Sequence, residues 1–385
     1  MNFTETDEQT ALRAAVAELG SKYGYAYFTG KARSGGRLTE LWQETAKLGF
    51  IGVNLPAEYG GGGAGMYELA IVLEELSAAG CGLLMMVVSP AICGTIIARF
   101  GTSEQKERWL PKIASGSSIM AFGITEPDAG SNSHKLTTVA TRDGDTWVLN
   151  GRKIYISGVD EAEAVLIVGR TADRKTGKLN PALFVVPTDT PGFSYQPIDM
   201  DIVMPEKQYL LFLDDVRLPA TSLVGEEGAA MMQLFAGLNP ERIMASAMAV
   251  GSARYALDKA VCYARERTVW SVPIGAHQGL AHPLAQVKIE LELARLMMQK
   301  AAALYDAGDD MAAGEAANMA KYAAAEAGVR TVDQAIQALG GSSMTREFGL
   351  AAMLANVRTT RIAPVSREMI LNFVAQYSLG LPKSY

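Results

Sequence analysis

Cysteine and histidine are scarce. The 385 residues contain three of each, Cys81, Cys93 and Cys262, and His134, His277 and His282. None of the six sits at metal-ligand spacing, so neither a structural metal nor a disulfide framework is expected to hold the fold. Excess positive charge is missing too. Lys and Arg number 35 against 41 Asp and Glu, a net charge of -6, which leaves no general electrostatic footprint for nucleic acid. Any anionic ligand must then be held by a local basic cluster. A membrane-length apolar run is also lacking: the greasiest stretch, Leu83 to Val88, meets Ser89-Pro90 and then Gly94, short of the roughly 20 residues a span needs. It reads as a buried helix. Residues Met1 to Gln9 are polar and acidic, without the apolar centre of a secretory signal, and a cytoplasmic protein is expected.

What is present is an ordinary globular balance, 49% hydrophobic and 20% charged, in a chain long enough for two or three domains. From Thr6 to about Gly116 apolar positions recur at helical spacing, as in Leu12, Val16, Leu19 and Leu41, Trp42, Ala46, Leu48. This predicts an all-helical region broken at Pro56, Gly60 to Gly63 and Pro90, with a helix cap at Gly101-Thr102-Ser103. Between Ile119 and Leu223 the period falls to two. Strands are expected at 137–141, 147–149, 154–156, 165–168, 183–186 and 209–213, with tight turns at Asp143-Gly144 and Asn150-Gly151. An antiparallel barrel or sandwich would result. After Gly228 helical spacing returns, rich in Ala and Met, and predicts a helix bundle whose adaptable Met faces suit subunit contacts. The expected division is a helical domain at 1–118, a β domain at 119–228 and a helical bundle at 229–385, an α+β protein.

Two segments carry a specific resemblance, Ala121-Phe-Gly-Ile-Thr-Glu-Pro-Asp-Ala-Gly-Ser131 and Asn150-Gly-Arg-Lys-Ile-Tyr-Ile-Ser157. With Leu55-Pro-Ala-Glu-Tyr-Gly-Gly61, Gly101-Thr-Ser-Glu-Gln-Lys-Glu-Arg-Trp-Leu-Pro111, Asp214-Asp-Val-Arg-Leu-Pro219 and Gln337-Ala-Leu-Gly-Gly341 in order, the whole chain resembles the acyl-CoA dehydrogenase family. The resemblance implies a four-helix bundle as C-terminal domain, FAD as cofactor, an acyl-CoA substrate, an electron-transfer flavoprotein as acceptor and a tetramer. It implies that Phe122, Ile124 and Thr125 line the flavin ring, with Tyr155 (where the family usually has Trp) and Ser157 on its other side. A neighbouring subunit would receive Arg267, Trp270, Gln278, Gln337, Gly340 and Gly341 against its flavin. Ser366 and Glu368 match positions near the ring and adenosine. Taken alone, Gly340-Gly341 is a helix stop, Arg267 a solvated helix residue and Tyr155 a strand aromatic.

Family enzymes remove the α-proton of the acyl group with a carboxylate while the β-hydrogen leaves as hydride to the flavin, giving a trans-2-enoyl-CoA. Many relatives keep that carboxylate in a C-terminal Tyr-Glu-Gly-Thr motif, where this chain reads Arg361-Ile-Ala-Pro-Val-Ser-Arg-Glu368. Pro364 takes the place of the Glu. The isovaleryl and long-chain types instead place it before a helix arginine, and Asn239-Pro240-Glu241-Arg242 matches them. Glu241 is therefore the expected base, its face lined by Met244, Ala245 and Met248. A helix start at Pro240 and the charge of Arg242 oppose the apolar surroundings, which leaves the sign of its pKa shift open. Ser131, Asn239 and Arg242 match contacts to coenzyme A.

Departures from the family pattern bear on the ring site. Pro364 has no N–H where the family binds the thioester oxygen through one. Ala363 replaces a large aromatic and opens space for a branched or bulky acyl group, and Val269-Trp270-Ser271 replaces Thr-Phe-Gly. Two other readings keep the fold: a non-catalytic subunit paired with a paralogue, and an oxidase that uses oxygen. Bound yellow flavin argues against the first, and peroxide formation argues for the second.

Overall fold

A computed structural model of the chain describes residues 4–173, 176–227 and 230–383. The junction expected at 228/229 lies outside the described residues, as do Met1 to Phe3 and the last two positions. Helix α1 (Asp7–Ser34) opens on a reciprocal cap, in which the Thr6 hydroxyl accepts from Gln9 N and the Gln9 amide oxygen from Thr6 N. Helices α2 (Thr39–Lys47) and α3 (Met66–Ala78) follow. Gly61 and Gly62 fall where the chain folds back on 53–55; a Cβ on Gly61 would sit 2.2 Å from the Leu55 carbonyl oxygen.

Pro90 does not break its helix. Short α4 (Leu84–Met86) runs through a π-helical stretch, Val87–Gly94, into α5 (Thr95–Phe100). A π turn already breaks the i to i−4 ladder, so the missing N–H of Pro90 fits within it. Helix α6 (Ser103–Ala114) is capped by Thr102, within the expected Gly101-Thr102-Ser103 cap, and Gln105 completes a reciprocal pair with it.

Eight strands, β1 (Ile119–Gly123), β2 (Val139–Asp143), β3 (Thr146–Ser157), β4 (Ala162–Ala172), β5 (Leu179–Pro187), β6 (Phe193–Ile198), β7 (Gln208–Pro219) and β8 (Leu223–Val224), form one sheet in the order β6-β7-β3-β2-β4-β5-β8, with β1 beside β4. It is not wholly antiparallel: β1 and β4 pair in parallel, and β2 touches β4 the same way. Alternate residues of β4 face two cores. Ala164, Leu166 and Val168 pack with Ile96, Trp109 and Ile113 of the helical region, while Val165 and Ile167 pack with Leu149, Leu211 and Leu213 of β3 and β7. Burial on both faces explains its unbroken apolar run. Asp143-Gly144 stands at the β2–β3 hairpin, with Gly144 at φ +61°. Asn150-Gly151 does not turn the chain. It lies inside β3 at a bulge opposite β7, where the Asn150 amide exchanges two 2.9 Å bonds with Asp215. A turn signal read locally is overridden there by a cross-strand partner.

The C-terminal region has three long helices, α7 (Ala230–Glu266), α8 (Gln278–Asp306) and α9 (Asp310–Leu339), while the fourth place in the bundle falls to short α10 (Leu350–Thr359). A two-stranded ribbon, β9 (Thr268–Val269) and β10 (Val272–Pro273), joins α7 to α8, and α11 (Arg367–Phe373) closes the chain. Fully buried Glu74 of α3 takes Arg254 of α7 at 2.6 Å and Arg295 of α8 at 2.9 Å, tying the N-terminal helices to the bundle.

Pro240 lies inside α7 rather than at its start, so the helix start expected there is absent. Its missing N–H leaves the carbonyl of buried Ala236 without a helical donor. The Tyr305 hydroxyl donates to that oxygen at 2.8 Å. Tyr305→Phe is expected to lower stability by about 1–3 kcal/mol, the cost of an unsatisfied buried acceptor. A urea midpoint unchanged from wild type would show that the carbonyl finds another donor.

Candidate active site

Glu241 sits just past the Pro240 turn, enclosed by protein but with part of its surface still accessible. Burial pushes its carboxyl up to about 7, against the pull of the Arg242 and Lys321 charges. The open sign is thereby settled as upward. With α7 beginning eleven residues earlier, no helix start acts on Glu241. Met244 and Ala245 are buried and Met248 half-buried on the following turn.

Arg242 is buried. Its Nη1 donates to Leu238 O at 3.1 Å and to Asn239 Oδ1 at 3.2 Å, and its Nε has no partner among the described residues. A buried guanidinium with a spare donor is suited to a polar ligand atom. Asn239 lies against Gly314 of α9, where a Cβ would come within 3.3 Å of its amide nitrogen. Lys321, seven residues further along α9, is 1% exposed and donates from Nζ to the Val365 carbonyl. Burial and the neighbouring Arg242 charge pull its ammonium down to about 8. The 361–368 segment is further held by Arg361 on Glu326 at 2.8 Å. Ser366 caps α11, and exposed Glu368 pairs with Arg367 at 3.0 Å. Exposed Ala363 precedes Pro364 through a cis peptide bond.

The β1 end converges on this corner. Phe122 and Ile124 share an apolar cluster with Leu234 and Leu238 of α7. The Cys93 thiol donates to Ala121 O at 3.4 Å, and burial and then the Glu241 charge push it up. Beneath the 122–125 segment lies an ion pair the sequence reading did not single out. Lys153, with no exposed surface, donates to Glu126 Oε1 at 2.8 Å and to the Ile124 carbonyl at 3.1 Å. Burial alone would raise the Glu126 carboxyl, but Lys153 and donors from Thr137 and Thr138 outweigh it and bring it down to about 2. Thr125 accepts from Ile154 N at 2.9 Å. Tyr155, at φ +59° beside a bulge in β3, is 58% exposed, a left-handed backbone that is strained for an aromatic residue. Ser157 exchanges hydrogen bonds with Gln208 at 3.0–3.1 Å. Ser131 is exposed on the loop after β1.

The remaining expected residues do not join them within one chain. Gly314 opposes Asn239 and Gly328 opposes Ala249, so α9 runs parallel to α7 and their C-termini share an end of the bundle. There Arg267 and Trp270 follow α7, Gln278 opens α8, and Gln337, Gly340 and Gly341 end α9, all exposed. Trp270 is 86% exposed on a two-residue loop with Ser271, both at positive φ. Glu241 is 25 residues of helix from Glu266, about 38 Å, farther than one dinucleotide reaches. A Cβ at Gly341 would meet nothing within 4 Å, so packing within the chain gives no reason for that glycine.

Comparison with known proteins fits this arrangement. Sequence models of the acyl-CoA dehydrogenase N-terminal, middle and C-terminal domains match residues 6–117, 121–216 and 227–379. The chain belongs to the acyl-CoA dehydrogenase family. It is 67% identical over 384 residues to acyl-CoA dehydrogenase FadE12 of Mycobacterium tuberculosis, covering 100% of this chain and 99% of that one. The structure of a glutaryl-coenzyme A dehydrogenase in complex with glutaryl-CoA superposes with a TM-score of 0.93 at 30% identity, over 100% of this chain and 98% of that one. A glutaryl-CoA dehydrogenase from Mycobacterium smegmatis in complex with FADH2 superposes with a TM-score of 0.91 at 28% identity, over 99% and 96%. Among the described residues no helix of this acyl-CoA dehydrogenase family member is long and apolar enough to cross a membrane.

Lys321 and Lys153 are buried charged residues at this corner that sequence reasoning missed. Lys321 stands in a run of alanines on the face of α9 that packs on α7, with Ala317, Ala320 and Ala324 buried around it. That mismatch of a charge with an apolar stripe was the available signal.

Proposed function

We propose that the protein is an FAD-dependent acyl-CoA dehydrogenase in which Glu241 removes the α-proton of the acyl thioester. The observation that carries this reading is the setting of Glu241: a carboxyl raised to about 7 by burial, next to buried Arg242 on the same helix and within reach of the Lys321 charge from α9. A general base works best with a pKa near the operating pH. Bound FAD would accept the β-hydrogen as hydride. The chain's own part is to bind, orient and take a proton. Phe122, Ile124, Thr125, Tyr155 and Ser157 would hold the ring, with the Lys153–Glu126 pair fixing the backbone beneath it. Ser131, Asn239 and Arg242 would meet coenzyme A, the spare Arg242 Nε supplying a donor. Ala363 would border the acyl group, and Ser366 and Glu368 the flavin. An electron-transfer flavoprotein would take the electrons onward.

The distance between Glu241 and the far bundle end supports a flavin site shared between subunits. Arg267, Trp270, Gln278, Gln337, Gly340 and Gly341 would then serve a neighbour's cofactor. Exposed Ile289, Leu293 and Leu296, at helical spacing on α8, offer an apolar stripe for self-association, and a homotetramer is the expected assembly. Light scattering with flavin quantification tests this. One FAD per chain in an assembly larger than a monomer is expected, and a colourless monomer that does not take up FAD contradicts it.

A further inference from the structure

Lys321 is buried where α9 packs on α7, with no carboxylate in hydrogen-bond contact among the described residues; its ammonium is spent on a carbonyl, that of Val365. Midway between the contacts that Gly314 and Gly328 make with α7, it stands level with the turn that follows Glu241. We propose that Lys321 is a positioning residue for the reaction, tying the Ala363–Val365 loop to the Glu241 corner and supplying, near neutral pH, a positive charge against which Glu241 works as base. The idea rests on Glu241 being the base.

A buried ammonium needs a reason to stay where desolvation opposes it. The loop gives one half of the reason. Pro364 has no N–H of its own, and Lys321 holds the next carbonyl in place. Electrostatics gives the other half. Glu241 is faced by Arg242 on its own helix, by Lys321 from α9 and by the Cys93 thiol from the π-helical stretch. Lys321 is faced by Glu326 on its own helix, Glu241 and Arg242 from α7 and Glu368 from α11. Arg242 is committed to Leu238 and Asn239 through Nη1, which leaves Lys321 as the cation that links the base to the loop.

The test is the pH dependence of flavin reduction by an acyl-CoA in the FAD-loaded enzyme. Lys321→Gln keeps an N–H for the Val365 carbonyl and loses the charge. Its acid limb is expected to move up by about one unit, which lowers the rate about fivefold at pH 7 and little at pH 9. Lys321→Arg keeps the charge, is expected to keep the wild-type limb, and gives a result even if the Gln variant does not fold. A uniform fall across pH in Lys321→Gln, or a limb displaced upward in Lys321→Arg, overturns the proposal. Glu241→Gln run in parallel separates the two ideas: if it keeps both rate and limb, Glu241 is not the base, whereas if it loses both while Lys321→Gln keeps its limb, the role of Lys321 alone fails.

Discussion

Glu241→Gln is expected to slow flavin reduction by about 10²–10⁴-fold, the usual worth of a positioned general base, while FAD content and acyl-CoA affinity stay near wild type. Gln matches Glu in size, so the packing around Met244 and Ala245 is kept, and Arg242 retains its bonds to Leu238 and Asn239. What is lost is the acceptor for the α-proton. The pH profile carries the same signature. The working form is the carboxylate, and with its carboxyl near 7 the wild-type rate should fall as pH drops below 7. The variant should lose that limb. Anaerobic stopped-flow mixing with acyl-CoA measures both, and unchanged reduction would move the base elsewhere.

Lys153→Met is expected to cost about 3–5 kcal/mol, because it strands the Glu126 carboxylate, buried and unpaired. Lys153 also holds the Ile124 carbonyl, so FAD content should fall together with stability. The double variant Lys153→Met, Glu126→Gln is expected to recover part of the stability, since it removes both charges and keeps an acceptor for the Thr137 and Thr138 donors. Chemical denaturation of the three proteins measures this. A single-variant loss below 1 kcal/mol, as for a surface pair, would contradict the account.

The parts of the fold that local rules govern were legible in the sequence. Thr102 caps α6 where Gly101-Thr102-Ser103 was expected to cap a helix, and the run expected as a strand at 165–168 lies inside β4. What depends on distant partners was not legible. Asn150-Gly151 has the composition of a turn, yet Asp215 from another strand makes it a bulge. Pro240 has the look of a helix start, but Tyr305, from α8, completes the helix around it. Within the site, Glu241 and Arg242 were visible through the family pattern because they are neighbours in one motif. Lys321 was not, because the carbonyl it holds lies 44 residues away.

The most direct test of the central claim is anaerobic titration of the purified, FAD-loaded protein with a panel of straight and branched acyl-CoA thioesters, followed by flavin absorbance. The account predicts that at least one thioester bleaches the yellow flavin with formation of the matching trans-2-enoyl-CoA, and that Glu241→Gln does not bleach on the same timescale. A flavin that stays oxidised with every thioester would contradict it.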